Sequence, residues 1–296
     1  MSGVADGWDA SISAWAHAQG DIKALVQIGS RVQEGAVVDP WSDYDYQLIT
    51  TEPGKYRDGS FCREIGPCWV SGSHVAFGNS LKITAVYEGA LEADFIVLKS
   101  MDVAIATLAL RWPGTEHLWP RVLRRGVADL RIVVGPGWRM VKGGAAWERR
   151  YSRINPLRPE MTGQEFAALC CNFWAQAVWA AKKAQRGEFR ASQRGIHEHL
   201  AEGCLRILQE EAILAGRKAY PLGRRAETWL TQEQLGGTAS GTRPDRAALL
   251  AAVGEAARVF SASSAAVAAA RGWSLEEAAQ VRAWLASSTG TGTAPR

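Results

Sequence analysis

The 296-residue chain lacks the features typical of secreted, disulfide-bonded and membrane-spanning proteins. Its five cysteines form no CxxC pair, and their odd number predicts reduced thiols, as in a cytosolic protein. No apolar run reaches the roughly 18 residues that a membrane span needs. The N-terminus MSGVADGWDA is acidic and has no apolar signal-peptide core. We therefore expect a cytoplasmic protein without a membrane partner.

The chain also has little net charge, +4 with a pI of about 8.9. This excess suits an anionic ligand but is too small to predict a nucleic-acid partner. It is concentrated in residues 121–158, the basic stretch, where ten Lys and Arg residues face only Asp129 and Glu148. Such a stretch fits either a solvated surface at a domain junction or contact with phosphates or another polyanion. The sequence leaves the oligomeric state open.

The hydrophobic pattern changes halfway along the chain. After a first helix, four strands are predicted at residues 24–28, 44–50, 81–87 and 93–98, with a hairpin turn at 88–90. From Met161 the pattern is helical, beginning with a capping box of Thr162 and Glu165. We therefore predict an α+β protein. A mixed sheet with flanking helices occupies residues 1–150, a helical bundle 151–286 and a disordered tail 287–296.

Three short segments carry the residues expected to do chemistry. Gly29-Ser30 follows a predicted strand, and such a turn leaves amides and a hydroxyl free to hold phosphate oxygens. Asp43 and Asp45 are two residues apart, so both carboxylates point to the same face of a strand. Adjacent carboxylates repel unless a cation lies between them, as Mg²⁺ does at phosphoryl-transfer centres. Asp94, on a neighbouring predicted strand, would complete the cluster.

In this order, the segments ALVQIGSR, WSDYDYQLIT and LEADFIVL resemble the polymerase-β-like nucleotidyltransferases. The closer likeness is to the aminoglycoside 6-adenylyltransferases, whose Phe-Trp helix is also similar to NFWAQAVWAAKKAQRGEFRAS here. The resemblance implies a nucleotidyltransferase catalytic domain followed by a helical acceptor-binding domain. It further implies Mg²⁺ as cofactor, ATP as co-substrate and transfer of AMP to a hydroxyl of a small molecule such as an aminoglycoside.

The motifs and the resemblance together assign roles to particular residues. Asp94 is either a third metal ligand or the general base, and Glu92, on the same strand face, is the rival for the base. Lys182 and Lys183 fit a triphosphate contact and a solvated helix end equally well. The assigned residues are the catalytic and metal-binding Asp43, Asp45 and Asp94; the nucleotide-binding Gly29, Ser30, Arg31, Lys182 and Lys183; and the acceptor-binding Glu92, Trp174 and Glu198.

Two other functions fit the same sequence. The acceptor could be a protein side chain or an RNA end, as in toxin-like relatives. The basic stretch would then be the docking surface, and binding of the acceptor would weaken steeply as the salt concentration rises. The chain could also be a non-catalytic nucleotide-binding relative. The intact Ser30, Asp43, Asp45 and Asp94 disfavour that reading, because an inactive copy has no need of clustered negative charge.

Overall fold

The chain forms two compact units, Met1–Pro159 and Glu160–Arg296, here called the sheet unit and the helical unit. The computed structural model describes residues 3–33, 38–39, 41–75, 80–112, 114–157, 160–217, 219–220, 223–238, 241–275 and 278–289. The predicted α+β class is confirmed: a mixed sheet with flanking helices precedes a helical C-terminal part. The predicted domain boundary at residue 150 lies inside a helix of the sheet unit, Gly144–Tyr151.

The sheet has six strands in the order β3-β4-β5-β2-β1-β6. The strands are β1 (Ile22–Ile28), β2 (Tyr44–Thr50), β3 (Cys68–Val75), β4 (Leu81–Tyr87), β5 (Leu91–Lys99) and β6 (Arg139–Lys142). β2 and β5 pair in parallel, and the other neighbours pair antiparallel. Two of the predicted strands have the bounds of β2 and β4, whereas β1 and β5 are longer than predicted. β3 and β6 were not predicted.

Helices cover both faces of this sheet. They are α1 (Gly3–Ala18), α2 (Cys62–Ile65), α3 (Ser100–Ala109), α4 (Arg121–Val133) and α5 (Gly144–Tyr151). Trp8 and Ile12 of α1 pack on the first face, together with Cys62 of α2. Val103 of α3 and Leu130 of α4 pack on the second face. The sheet is therefore the central layer, with a separate apolar core on each side.

Side chains alternate between the two faces along each strand. Tyr46 of β2 and Phe95 of β5 belong to the first core, and their rings stack with centroids 5.5 Å apart. The intervening residues face α3, α4 and α5. These second-face positions are Asp45, Gln47 and Ile49 on β2, and Asp94, Ile96 and Leu98 on β5. The predicted carboxylates Asp45 and Asp94 thus share one face of the sheet.

The helical unit has its own core. Its helices are α6 (Gly163–Gln185), α7 (Phe189–Gly195), a π-helical segment (Ile196–Ala201), α8 (Glu202–Leu214), α9 (Ala226–Trp229), α10 (Gln232–Gly237), α11 (Arg246–Arg271) and α12 (Ala279–Thr289). The predicted capping box of Thr162 and Glu165 at the start of α6 is confirmed. Phe173 of α6 and Phe260 of α11 stack at 3.7 Å in the centre of this unit. Among the described helices, none is both long and apolar enough to cross a membrane.

The end of the chain differs in part from the prediction. α12 continues to Thr289, so residues 287–289 are helical although the predicted tail began at residue 287. Residues 290–296 lie outside the described part of the chain.

Candidate active site

A tight turn at residues 29–33 follows β1. Gly29 has a φ of +77°, and its carbonyl oxygen accepts hydrogen bonds from the amides of Val32 and Gln33, each at 3.2 Å. The amides of Ser30 and Arg31 have no hydrogen-bond partner among the described residues. Successive amides free in such a turn form an anion-binding concavity. The predicted binding of phosphate oxygens by this turn stays a prediction.

Gly29 lies directly against the carboxylate of Asp45. Ile28 is opposite Asp45 in the β1–β2 register, so the turn begins at the level of this side chain. A Cβ atom at position 29 would lie 2.9 Å from Cγ of Asp45 and still closer to one of its oxygens. Only glycine leaves room for the carboxylate at this φ without strain. The phosphate-type turn and the first strand carboxylate thus form one continuous surface.

Arg31 holds the turn against the start of β2. Its Nε and Nη2 donate hydrogen bonds to the carbonyl oxygen of Ser42 at 3.1 and 2.7 Å. Its guanidinium lies 3.8 Å from the ring centroid of Tyr44, within the range of a cation–π contact. Arg31 is therefore placed beside the predicted phosphate site by its own contacts, and its contact with phosphate stays a prediction.

Four acidic residues, the carboxylate group, lie near this turn: Asp43, Asp45, Glu92 and Asp94. Asp45 and Asp94 are direct neighbours in the parallel β2–β5 register. Asp43 is exposed, immediately before β2. Burial raises the pKa of Glu92, and the negative charges of Asp43 and Asp94 raise it further, with partial compensation from Lys82. Asp43, Glu92 and Asp94 are therefore close enough for their charges to interact.

Asp94 is buried, with 6% of its surface exposed, and both of its oxygens have partners. Thr84 donates to Oδ1 at 2.5 Å, and the Lys82 ammonium pairs with Oδ2 at 2.5 Å. Neither partner was identified from the sequence. Both partners could have been found from the predicted hairpin, because a turn centred on residue 89 places Thr84 opposite Asp94 and puts Lys82 on the same face of the sheet.

Carboxylate oxygens, the donor atoms of the carboxylate group, are a ligand type that Mg²⁺ accepts. Among the described residues, no group of three or more His, Cys, Asp or Glu side chains has a geometry that could hold a metal ion. Asp94 is paired with Lys82, and Asp43 and Asp45 are the ligands predicted from the Asp-x-Asp pair. Mg²⁺ typically takes one or two carboxylates and completes its shell with substrate phosphates and water. The metal-binding role predicted for Asp94 stays a prediction.

Two predicted site residues of the helical unit are held by contacts inside that unit. Trp174 is buried in its core, edge-on to the rings of Phe173 and Phe260. Its predicted role as an acceptor wall would require this core to open. Glu198 is exposed and pairs with Arg194 at 2.8 Å.

The two lysines predicted to contact the triphosphate lie in the last turn of α6. Lys183 pairs with Glu188 at 2.5 Å and lies over the ring of Trp179, 5.6 Å from its centroid. Lys182 is exposed. Lys183 therefore already has a carboxylate partner, while Lys182 fits the solvated helix end that the sequence also allowed.

Part of the basic stretch is used to hold the sheet unit together. Arg139 pairs with Asp9 of α1 at 2.9 Å, and the Lys142 ammonium donates to two carbonyl oxygens near the end of α1. Other members such as Arg124 are exposed, and Arg158 lies outside the described residues. The stretch therefore serves at least two purposes, packing and surface charge.

No protein-family model matches the chain, and no curated protein matches its sequence. Solved structures that are similar to the chain include the following two. An aminoglycoside 6-adenyltransferase from Bacillus subtilis is 11% identical with a TM-score of 0.42, over 98% of both chains. A nucleotidyltransferase-like protein from Exiguobacterium sibiricum 255-15 is 8% identical with a TM-score of 0.34, over 98% of this chain and 90% of that one. Likenesses of this size carry no weight for function, which has to be argued from the site.

Proposed function

We propose that the chain is a Mg²⁺-dependent nucleotidyltransferase that moves AMP from ATP to a hydroxyl group of a small molecule. The observation that carries the proposal is the contact between the Gly29–Arg31 turn and Asp45, beside three further carboxylates. A nucleoside triphosphate needs both features, amides for its terminal phosphates and carboxylates for the magnesium that accompanies it.

Each part of the site has a task in this reaction. The Ser30 and Arg31 amides bind the β- and γ-phosphates, while Asp43 and Asp45 hold Mg²⁺. The bound ion supplies charge neutralisation to the triphosphate. The acceptor oxygen forms a bond to the α-phosphorus while the bond to the pyrophosphate oxygen breaks, and pyrophosphate leaves. Catalysis is then mainly positioning and electrostatic stabilisation.

Glu92 is the better candidate for the general base. Both oxygens of Asp94 are engaged by Thr84 and Lys82, so Asp94 is suited to fix the local geometry. Glu92 has a raised pKa, which brings it closer to the working pH of a base. In this assignment Glu92 takes the proton of the acceptor hydroxyl as the new bond to phosphorus forms.

The proposed acceptor is an aminoglycoside. A polycationic aminoglycoside suits the negative potential of the carboxylate group, because each ammonium group would offset part of the repulsion between the carboxylates. A protein or RNA acceptor, or nucleotide binding without catalysis, are the alternatives that the experiment must separate.

The test is pyrophosphate release from ATP, GTP, CTP and UTP with Mg²⁺, measured with and without a panel of aminoglycosides that includes streptomycin. We expect release that depends on ATP, on Mg²⁺ and on one aminoglycoside, and that is abolished by Asp43→Asn. Binding of Mg·ATP without release for any member of the panel would favour a macromolecular acceptor. Absence of nucleotide binding, or full activity in Asp43→Asn, would overturn the proposal.

A further inference from the structure

A cavity of about 390 Å³ opens in the sheet unit between the second face of the sheet and helices α3 and α4. Its floor is formed by side chains of β2 and β5. Its walls are apolar side chains of the two helices together with three charged ones, Asp102 of α3 and Arg125 and Asp129 of α4. The lining includes Gln47, Ile96, Leu98, Val103, Gly126 and Leu130. Val103 and Leu130 also belong to the second core of the sheet unit.

The cavity adjoins the carboxylate group on the same sheet face. Gln47 follows Asp45 by two residues on β2, and Ile96 follows Asp94 by two residues on β5. Two residues along a strand span about 6.6 Å and return to the same face. The cavity therefore begins one side-chain row from the carboxylates. The Gly29 turn lies at the end of β1, where Ile28 is opposite Asp45.

Gln47 supplies a fixed polar group in a mostly apolar lining. The residue is 97% buried, and its Oε1 accepts a hydrogen bond of 2.6 Å from the Tyr151 hydroxyl. This contact directs the amide so that Nε2 remains as donor, and no partner for Nε2 occurs among the described residues. A largely apolar cavity with an oriented amide and a few charged side chains at its walls fits a flat heteroaromatic ring that carries hydrogen-bonding groups at its edge.

We propose that this cavity binds the base of the nucleoside triphosphate, with Gln47 Nε2 donating to a ring nitrogen or carbonyl oxygen of the base. The inference rests on the proposed function. The Gly29 turn, the carboxylate group and the cavity follow one another along the sheet. The terminal phosphates, the α-phosphate and the nucleoside follow one another in the same order along the substrate. The nucleotide is thereby bound within the sheet unit, and its base is selected by second-face residues rather than by the helical unit.

A large side chain at position 126 is expected to fill the cavity. Gly126 lies on α4, lines the cavity and has no atom within 4 Å of an added Cβ. Gly126→Phe would therefore place a ring beside the cavity without a backbone clash. Gly126→Ala is the matched control, because it removes the same glycine from α4 but leaves the cavity open.

The experiment compares the dissociation constants of Mg·ATP and Mg·tripolyphosphate, the latter lacking a nucleoside, for the full-length protein and both variants by titration calorimetry. For Gly126→Phe we expect ATP binding to weaken by about tenfold or more, which is 1.4 kcal/mol or more. Tripolyphosphate binding should stay unchanged, and Gly126→Ala should bind both ligands as the wild type does. Unchanged ATP binding in Gly126→Phe, or an effect on the acceptor KM alone, would overturn the inference.

A second variant tests the inference if Gly126→Phe misfolds and therefore binds neither ligand. Val122 lines the cavity at its rim and is 85% exposed, so Val122→Trp narrows the cavity without touching a core. A selective loss of ATP binding in Val122→Trp supports the inference, and unchanged binding of both ligands overturns it. If the wild type binds neither ligand, the proposed function itself fails. If it binds both with equal affinity and the variants change nothing, only the base site fails.

Discussion

Gly29 has two properties that no other residue type combines. Its φ of +77° lies in the left-handed region, and its missing side chain leaves space for the Asp45 carboxylate. A side chain here would be strained by the backbone and would also displace a candidate magnesium ligand. The glycine of the motif is therefore explained by contact with the carboxylate as well as by the shape of the turn.

Gly29→Ala should consequently lose activity by at least about 100-fold, since a shift of about 1 Å in a catalytic group has that effect. The left-handed backbone should also lower the free energy of unfolding by about 1–2 kcal/mol. Initial rates of pyrophosphate release and urea unfolding measure the two effects. Gly20→Ala is the control, because Gly20 has no atom within 4 Å of an added Cβ. Wild-type activity in Gly29→Ala would contradict the contact described here.

Glu92, the proposed general base, is expected to lower the stability of the folded protein at neutral pH. Its pKa is raised above the ordinary value of 4.5 by burial and by neighbouring negative charge. The folded protein thus binds this proton more tightly than the unfolded chain. The stabilisation from Glu92 is complete below pH 4.5 and is lost as the pH rises through the folded-state pKa. At neutral pH the ionised carboxylate therefore destabilises the fold.

Glu92→Gln should be more stable than the wild type at pH 7 and equally stable at pH 4, where the wild-type side chain is protonated. The same variant should lose transfer activity by about 100-fold to 10,000-fold, as is typical when a general base is removed. Urea unfolding at the two pH values and the rate of transfer provide the measurements. A variant that is less stable at pH 7, or that transfers at the wild-type rate, would remove Glu92 from the role of base.

The pairing of β4 with β5 determines the surroundings of Asp94. Because the two strands are antiparallel, Thr84 lies opposite Asp94 and Lys82 reaches the same carboxylate from the next second-face position. The strands thereby present Asp94 as an ion-paired, oriented group rather than as a free ligand. This arrangement depends on the register of the hairpin, not on residue type alone.

Lys82→Met should therefore lower the free energy of unfolding by about 1.5–3 kcal/mol, because it leaves a buried carboxylate with one charged partner fewer. In a double-mutant cycle with Asp94→Asn, the two changes should be coupled by about 0.5–3 kcal/mol. Lys99→Met, at the exposed end of β5, is the matched control and should have little effect. Additive effects of Lys82→Met and Asp94→Asn would show that the ion pair does not contribute.

Much of the site could be predicted from the sequence, because it depends on local order along the chain. The bounds of β2 and β4 follow from alternation, and the Gly-Ser turn and Asp-x-Asp pair are adjacent in sequence to the strands that carry them. β3 was missed because all of its residues are exposed or only half-buried, so no alternation distinguishes it. Gln47 and its cavity were missed because they depend on how α3 and α4 cover the second face, which the strand pattern does not encode.

The described residues of the molecule form three apolar cores. The two cores of the sheet unit contain residues of that unit alone, and the helical unit has a third core built from its own helices. The proposed nucleotide site uses only residues of the sheet unit. The predicted phosphate contacts Lys182 and Lys183 belong to the helical unit, so ligand-induced protection can test where the nucleotide binds.

Mg·ATP at 100 times its dissociation constant should stabilise the unit that binds it by about 2.7 kcal/mol, which slows exchange through global opening by about 100-fold. We expect this slowing for amides of β1, β2 and β5, measured by hydrogen exchange with mass spectrometry. Asp43→Asn, or removal of Mg²⁺, should abolish it. Additional slowing at the end of α6 would support the predicted lysine contacts. Slowing confined to α6, with unchanged exchange in the sheet, would contradict a nucleotide site on the sheet, because a ligand stabilises only the structure that must be intact to bind it.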